Sequence, residues 1–247
     1  MKTALILPDI HGRSFWRDAC ETIEKYDKVI FLGDYLDPYD FENISVRSAI
    51  DNFRLIIDFK KKNKEKVILL LGNHDMPYYS STYFNFSPWH CRHSVSYHNE
   101  ISQIFEENKD LFQIAYDYNG ILFTHAGVDY YWLTDVLESD SCNLPELTQR
   151  LNGLTESEEG LRKLYMVSWS RGGWDIYASC IWCDVEDMMA VADKMDIRQV
   201  FGHTLQAYDN LDGEIEYGEP IEFDNNKMLD CAQGFVLDCD NFVLLKK

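Results

Sequence analysis

Basic residues are scarce in this chain: 23 lysines and arginines stand against 42 aspartates and glutamates, a formal net charge of −19. A surface for duplex nucleic acid needs clustered cations that displace the counterions of the phosphate backbone. No such track occurs, which argues against a nucleic-acid-binding protein or a nuclease. A small anionic substrate is not excluded, because bound metal cations can reverse the sign of a site locally. A long apolar run is also missing at the amino terminus. The stretch Ala4–Leu7 is cut short by Pro8 and Asp9, too brief for a signal core or a membrane span, so a cytoplasmic protein that does not engage membranes is expected. No Pro/Gly/Ser-rich linker, internal repeat or low-complexity segment divides the 247 residues, and one domain over 1–247 is expected. The seven cysteines have no regular spacing and read as reduced thiols. Cys180-Ile-Trp-Cys183 lacks the second pair that a zinc ribbon would need.

What the chain has in quantity is one pattern. An apolar, strand-like stretch ending in an abrupt small or polar turn occurs at ALILPDIHG (4–12), KVIFLGDYLD (28–37), VILLLGNHD (67–75), ILFTHAG (121–127) and QVFGHT (199–204). Each turn carries metal-type donors at a strand's carboxyl end, where ligands bind in open α/β sheets. The set is Asp9, His11, Asp34, Asn73, His74, His125 and His203. A single Asp-x-His after a strand is more often a capped turn than a ligand pair. Four of the seven histidines directly after apolar strands, in company with Asp and Asn, are harder to dismiss. Carboxylate, carboxamide and imidazole together suit hard and borderline cations, whereas thiolates would signal structural zinc or iron–sulfur. The residues read as α/β with one dinuclear metal centre arranged around Asp34.

Between these motifs, Ser14 predicts a capped helix to about Tyr26, and Ser45–Lys62 predicts another, with Val46, Ile50, Phe53 and Ile57 on one face and Lys60, Lys61 and Lys62 at its carboxyl end. Met76–His98 is dense in aromatics and carries His90, His93 and His98 without a clear period. It reads either as a substrate-facing lid or as an aromatic satellite core. A short helix is expected over Glu100–Phe105. Asn119-Gly120 predicts a hairpin turn between strands Phe112–Tyr118 and Ile121–Thr124. Helices are expected over 129–167 and near Val185–Met195. The loop from Ser168 to Trp174 sets Arg171 between two tryptophans, either as a plain surface turn or as an anion clamp. The tail predicts strands at Lys227–Cys231 and Gly234–Leu245, the latter turning at Asp240-Asn241, on an antiparallel edge.

The order D-x-H-G, G-D-Y-x-D, G-N-H-D, H-A-G, G-H-T resembles the calcineurin-like metallophosphoesterases, in particular the branch of serine/threonine phosphoprotein phosphatases and bacterial dinucleoside-tetraphosphate hydrolases. The resemblance implies a four-layer α/β/β/α sandwich of two mixed sheets flanked by helices. It also implies that Asp9 and His11 bind one metal, that Asn73, His125 and His203 bind the other, and that Asp34 bridges them. A solvent hydroxide shared by the ions would attack phosphorus in line. Manganese is the first expectation, with iron, zinc, nickel or cobalt accepting the same donors. By the same resemblance His74 is the general acid, Asp37 orients it, and Arg171 is the phosphate clamp of a W-x-R loop. Asp75 receives no role.

Two departures stand out. Pro38-Tyr39 follows Asp37 where phosphoprotein phosphatases have Arg-Gly, so a second phosphate-binding arginine is missing. Arg171 then works alone, or Arg13, Arg47 or Arg92 substitutes. G-H-T in place of G-H-x-H leaves the first metal with one imidazole fewer, in keeping with the branch. The expected function is a phosphoesterase acting on phosphomonoesters or phosphoanhydrides, with a small molecule, nucleotide or phosphoprotein as substrate. The alternatives are a dinucleoside-polyphosphate hydrolase stacking bases on Tyr78–Trp89, or a non-catalytic scaffold, which the intact ligand set disfavours.

Overall fold

The computed structural model describes residues 1–86, 91–139, 143–210 and 214–245. Its first sheet grows from the first three motif strands: β1 (Thr3–Leu7), β2 (Lys28–Phe31) and β3 (Val67–Leu70) are parallel neighbours. Strands covered on both faces read as unbroken apolar runs, and their alternate residues divide between two cores. Leu5, Leu7, Val29, Phe31, Val67 and Leu69 face a core under the helices. Ala4, Ile6, Ile30, Leu32 and Leu70 face a second core that they share with Ile121, Phe123 and Val200 of the other sheet.

Helix α1 (Phe15–Ala19) and helix α2 (Val46–Lys62) follow β1 and β2. The α2 helix starts where the sequence predicts, because the Ser45 hydroxyl accepts from Ser48 N at 3.1 Å. Its buried Ala49, Ile50, Phe53, Ile56 and Ile57 form an amphipathic stripe, and Phe53 stacks on Tyr35 with centroids 5.1 Å apart. Each large apolar side chain buried this way contributes roughly 1.5–3 kcal/mol. The α1 helix is shorter than predicted. Ser14 makes no side-chain cap, and the chain passes to a separate turn at Ile23–Lys25 before Tyr26.

After β3 come α3 (Met76–Tyr79), α4 (Ser81–Phe84) and α5 (His98–Glu107), the last longer than the predicted Glu100–Phe105. The predicted strand 112–118 is two strands: β4 (Phe112–Gln113) ends the first sheet, and β5 (Ala115–Tyr118) opens the second. The break falls at Ile114. There Asn152 Oδ1 accepts from Ile114 N and Ala115 N, both at 2.9 Å, and its amide donates to the Ala115 carbonyl at 3.1 Å. Asn152→Ala should leave two partly buried backbone donors without partners and lower unfolding free energy by about 2–4 kcal/mol. Urea denaturation would show this; an unchanged midpoint would mean that water replaces the amide.

The predicted hairpin joins β5 to β6 (Ile121–Thr124), with Asn119 and Gly120 both at positive φ. Helices α6 (Leu144–Gly153), α7 (Glu158–Leu164) and α8 (Val185–Val191) precede β7 (Arg198–Phe201), which pairs parallel with β6. The remaining strands are β8 (Ala207–Asp209), β9 (Ile215–Tyr217), β10 (Ile221–Phe223), β11 (Asn226–Met228), β12 (Phe235–Asp238) and β13 (Val243–Leu245). The sheet orders are β13-β12-β1-β2-β3-β4 and β10-β11-β7-β6-β5, with β8-β9 apart. Two mixed sheets therefore pack face to face with helices outside.

The tail corrects one expectation. The β12–β13 hairpin is an antiparallel edge, but β11 is buried throughout and runs parallel to β7 inside the second sheet. Its short run carries no signal of that distant pairing. Among the described residues, no helix is long and apolar enough to cross a membrane.

Candidate metal centre

The parallel registers of β1, β2 and β3, and of β6 and β7, place the five motif turns at one rim. Asp9, His11, Asp34, Asn73, His74, His125 and His203 are each at most 7 % exposed. Backbone geometry at this rim is unusual: His11, Asp34, Asp37 and His203 all have positive φ, between 43° and 71°. Such conformations disfavour residues with a Cβ by roughly 1–2 kcal/mol each and tend to collect at functional sites.

Two glycines are dictated by close approach. A Cβ on Gly72 would lie 2.1 Å from Asp34 Oδ1, and one on Gly202 would lie 2.1 Å from Asp9 Oδ1. Those same oxygens accept from His74 N and His203 N, both at 2.9 Å, which turns each Oδ2 inward.

The imidazoles are aimed in the same way. His11 donates from Nδ1 to the Leu36 carbonyl (2.8 Å), and His125 donates from Nδ1 to the Leu32 carbonyl (2.9 Å). Each Nε2 therefore presents a lone pair. His11 Nε2 and His125 Nε2 both lie 3.5 Å from Asp34 Oδ2. His125 Nε2 is also 3.9 Å from Asp9 Oδ2, 3.0 Å from Asn73 Oδ1 and 3.1 Å from His203 Nδ1. Acceptors facing acceptors at such distances repel, and cations placed among them would remove the repulsion. The donor set thus fits metal ions. Two groups have donor atoms within 4.8 Å of one another, His11–Asp34–His74 and Asp34–His125–His203, and Asp34 belongs to both.

Electrostatics agree with ligand chemistry. Burial keeps His11 well below the ordinary histidine range, and burial with Arg171 does the same for His203, so both offer neutral rings. Asp9 is held up by burial in the bare protein, an effect that a cation would reverse.

His74 differs from the other rings. Its Nδ1 donates toward Asp37 Oδ2 (3.2 Å) and the Arg92 carbonyl (3.0 Å). Asp37 Oδ1 accepts from the Tyr78 hydroxyl (2.7 Å) and Ser94 Oγ (3.3 Å). Burial alone would pull this imidazole down, yet Asp34 and Asp37 together raise it above the ordinary histidine value.

The sequence reading missed two supports. Asp75 accepts from Asp34 N (2.7 Å), Gly72 N (2.8 Å) and Tyr35 N (3.0 Å), lacing the second motif loop to the third. A short acidic side chain directly after a ligand loop is the available hint. Tyr78 gave no hint at all.

His11, Asp34, Asn73, His74 and His203 line an opening of about 240 Å³ with Arg92 and Arg171 at its walls. Arg171 Nη2 donates to Thr204 Oγ1 (2.6 Å), and its Nε lies 2.8 Å from Asp184 Oδ2. Arg13 is instead committed to Glu42 (2.5 Å) and the Asp9 carbonyl (3.1 Å), and Arg47 pairs with Glu100 (2.7 Å) on the surface. The excursion 76–98 divides its duties. Tyr78 and Tyr83 are buried in the main core, which removes them as base-stacking surfaces, while Cys91 and Arg92 face the opening. Trp89 and His90 lie outside the described residues, as does Cys142. Cys180 and Cys183 are buried free thiols, held protonated by burial.

A family model for calcineurin-like phosphoesterases matches residues 2–207. The chain belongs to that family. No curated protein matches this phosphoesterase. Among solved structures it is similar to one provisionally described as a diadenosine tetraphosphatase, at 14 % identity and a TM-score of 0.43, covering 99 % of this chain and 92 % of that one. It is also similar to a metallophosphoesterase from Sphaerobacter thermophilus, at 11 % identity and a TM-score of 0.41, covering 96 % and 85 %. Calcineurin-like phosphoesterases typically bind divalent metals, and this member offers its His and Asp groups for them.

Proposed function

We propose that the protein is a dinuclear-metal-dependent phosphoesterase hydrolysing phosphomonoester or phosphoanhydride bonds. The observation that supports it most is the shared carboxylate: Asp34 stands in both donor groups. Asp9, His11 and Asp34 would hold one ion, and Asp34, Asn73, His125 and His203 the other, with manganese the first choice. When bound, the ions supply Lewis-acid activation of the phosphoryl oxygens and of the attacking water.

The chain's own residues do the rest. His74, fixed at Nδ1 by Asp37 and the Arg92 carbonyl, turns Nε2 to the opening and donates a proton to the leaving oxygen. Arg171 meets the charge on the transferring group. Arg171→Ala should raise KM and lower kcat, a loss of roughly 2–4 kcal/mol on the scale of a removed oxyanion donor, with metal content intact. Steady-state kinetics with metal analysis decides this, and unchanged kinetics would make the loop a plain turn.

Dinucleoside polyphosphates are a second reading, favoured by Trp169 and Trp174. These indoles flank Arg171 on its loop, are 70 % and 81 % exposed, and meet edge-on at 6.0 Å. The deciding experiment is a turnover panel of phosphopeptide, nucleotides, diadenosine tetraphosphate and p-nitrophenyl phosphate with added Mn²⁺. No hydrolysis of any of them by metal-loaded protein would leave a scaffold as the surviving reading.

A further inference from the structure

We infer that Arg92 is a second phosphate-binding guanidinium facing Arg171 across the opening, and that the pair selects a terminal dianionic phosphoryl group over an internal diester. This rests on the phosphoesterase reading above. Arg92 and Arg171 line the same opening but belong to different sides of it. Arg171 lies against the His203 carbonyl (3.5 Å) and Thr204, on the side of the second sheet. Arg92 lies over the Tyr39 ring at 3.8 Å, and Tyr39 meets His11 edge-on at 4.9 Å, on the side of the first sheet.

Three features distinguish Arg92 from an ordinary surface arginine. Its plane is fixed, since Tyr39 covers one face and Nη2 donates to the Asp37 carbonyl at 3.2 Å. Its charge is uncompensated: Arg13, Arg47 and Arg171 each have a carboxylate partner, whereas among the described residues none lies within ion-pair distance of Arg92. Its backbone is already part of the site, because its carbonyl accepts from His74 Nδ1. Pro38 stands where the second arginine is missing from the sequence, and Tyr39 after it serves as the shelf for an arginine delivered from the excursion instead.

The chemical consequence follows from counting charges and oxygens. A phosphomonoester at neutral pH spreads two charges over three non-bridging oxygens, enough for two planar forks approaching from opposite sides. A diester has one charge and two such oxygens, and its second substituent takes the space that one guanidinium would use. Arg92 should therefore matter for monoesters and little for diesters.

The test compares Mn²⁺-loaded wild type, Arg92→Ala, Arg92→Lys and Arg171→Ala on p-nitrophenyl phosphate and bis(p-nitrophenyl) phosphate, with metal analysis and calorimetric binding of inorganic phosphate. Arg92→Ala keeps the backbone carbonyl and so separates the charge from the support of His74. Expected are a fall in kcat/KM of about 10²-fold on the monoester, and weaker phosphate binding by about tenfold or more. The diester and the metal content should change little. Added guanidinium should restore part of the monoester activity of Arg92→Ala, which a merely structural role would not permit, and Arg92→Lys should fall between wild type and Arg92→Ala. Equal losses on both esters, loss of metal, or no loss would overturn the inference. If wild type hydrolyses neither ester, the phosphomonoester reading fails on its own, and phosphate binding still decides Arg92: an affinity unchanged in Arg92→Ala overturns its role, and a weakened one supports it.

Discussion

Asp34→Asn should abolish turnover and leave the protein with fewer than two bound ions. Two cations in hydrolytic sites of this kind sit roughly 3.5–4 Å apart and repel each other strongly. A carboxylate between them would offset that repulsion with a full negative charge, and Asp34 would present its inward Oδ2, 3.5 Å from both His11 Nε2 and His125 Nε2; a carboxamide lacks the charge. The substitution is otherwise gentle. Asparagine has the same shape, and its oxygen can still accept from His74 N as Asp34 Oδ1 does at 2.9 Å. The fold should therefore survive, as circular dichroism and denaturation would report, while elemental analysis shows metal lost. Activity should fall by about 10³-fold or more, beyond the loss of a single oxyanion donor. Two retained ions with near-normal turnover would remove Asp34 from the centre of the site.

His74→Asn should produce a loss that depends on the leaving group. An alkoxide leaving from a serine or sugar phosphate needs a proton in the transition state, whereas p-nitrophenolate departs without help. The variant should lose on the order of 10²–10⁴ in kcat on alkyl phosphates, the usual range for general acid catalysis, and distinctly less on p-nitrophenyl phosphate. Its pH profile should change as well. Asp34 and Asp37 outweigh burial and raise the His74 pKa, so the protonated, donating form persists above the ordinary histidine value and is lost as pH rises further. Wild-type kcat on alkyl phosphates should fall along that alkaline limb, and the variant should lack it. Asp37→Asn should show the same asymmetry more weakly, because the Arg92 carbonyl still holds Nδ1. Equal losses on both substrate classes would send the proton's source elsewhere.

The motif strands could be read from sequence because their signals are local. A strand buried on both faces is an apolar run, and the turn that ends it is marked by Gly, Asp, Asn or His within two or three residues. The partners of those turns are not local. The Leu32 and Leu36 carbonyls that set the His125 and His11 tautomers are backbone atoms, which no residue type announces. The split at Ile114 depends on Asn152, 38 positions away, and β11 lies beside β7 only because the second sheet already exists. Arg92 was one of three arginines that could have substituted for the missing one. Only the fold separates it from Arg13, spent on Glu42, and from Arg47, spent on Glu100.

The approach of Gly72 to Asp34 and of Gly202 to Asp9 bears on how this sequence can drift. Each pair is a steric lock between segments far apart in the chain: while the acid keeps its side chain, no residue with a Cβ fits the partner position. Neither glycine lines the opening or carries a donor side chain, yet a change at either would push a carboxylate out of place and so be removed by selection as surely as a change in the acid itself. Positions 34 and 72, and likewise 9 and 202, should therefore be inherited as pairs. The letters G-N-H and G-H would then outlast most of the surrounding chain for reasons of space as much as of chemistry.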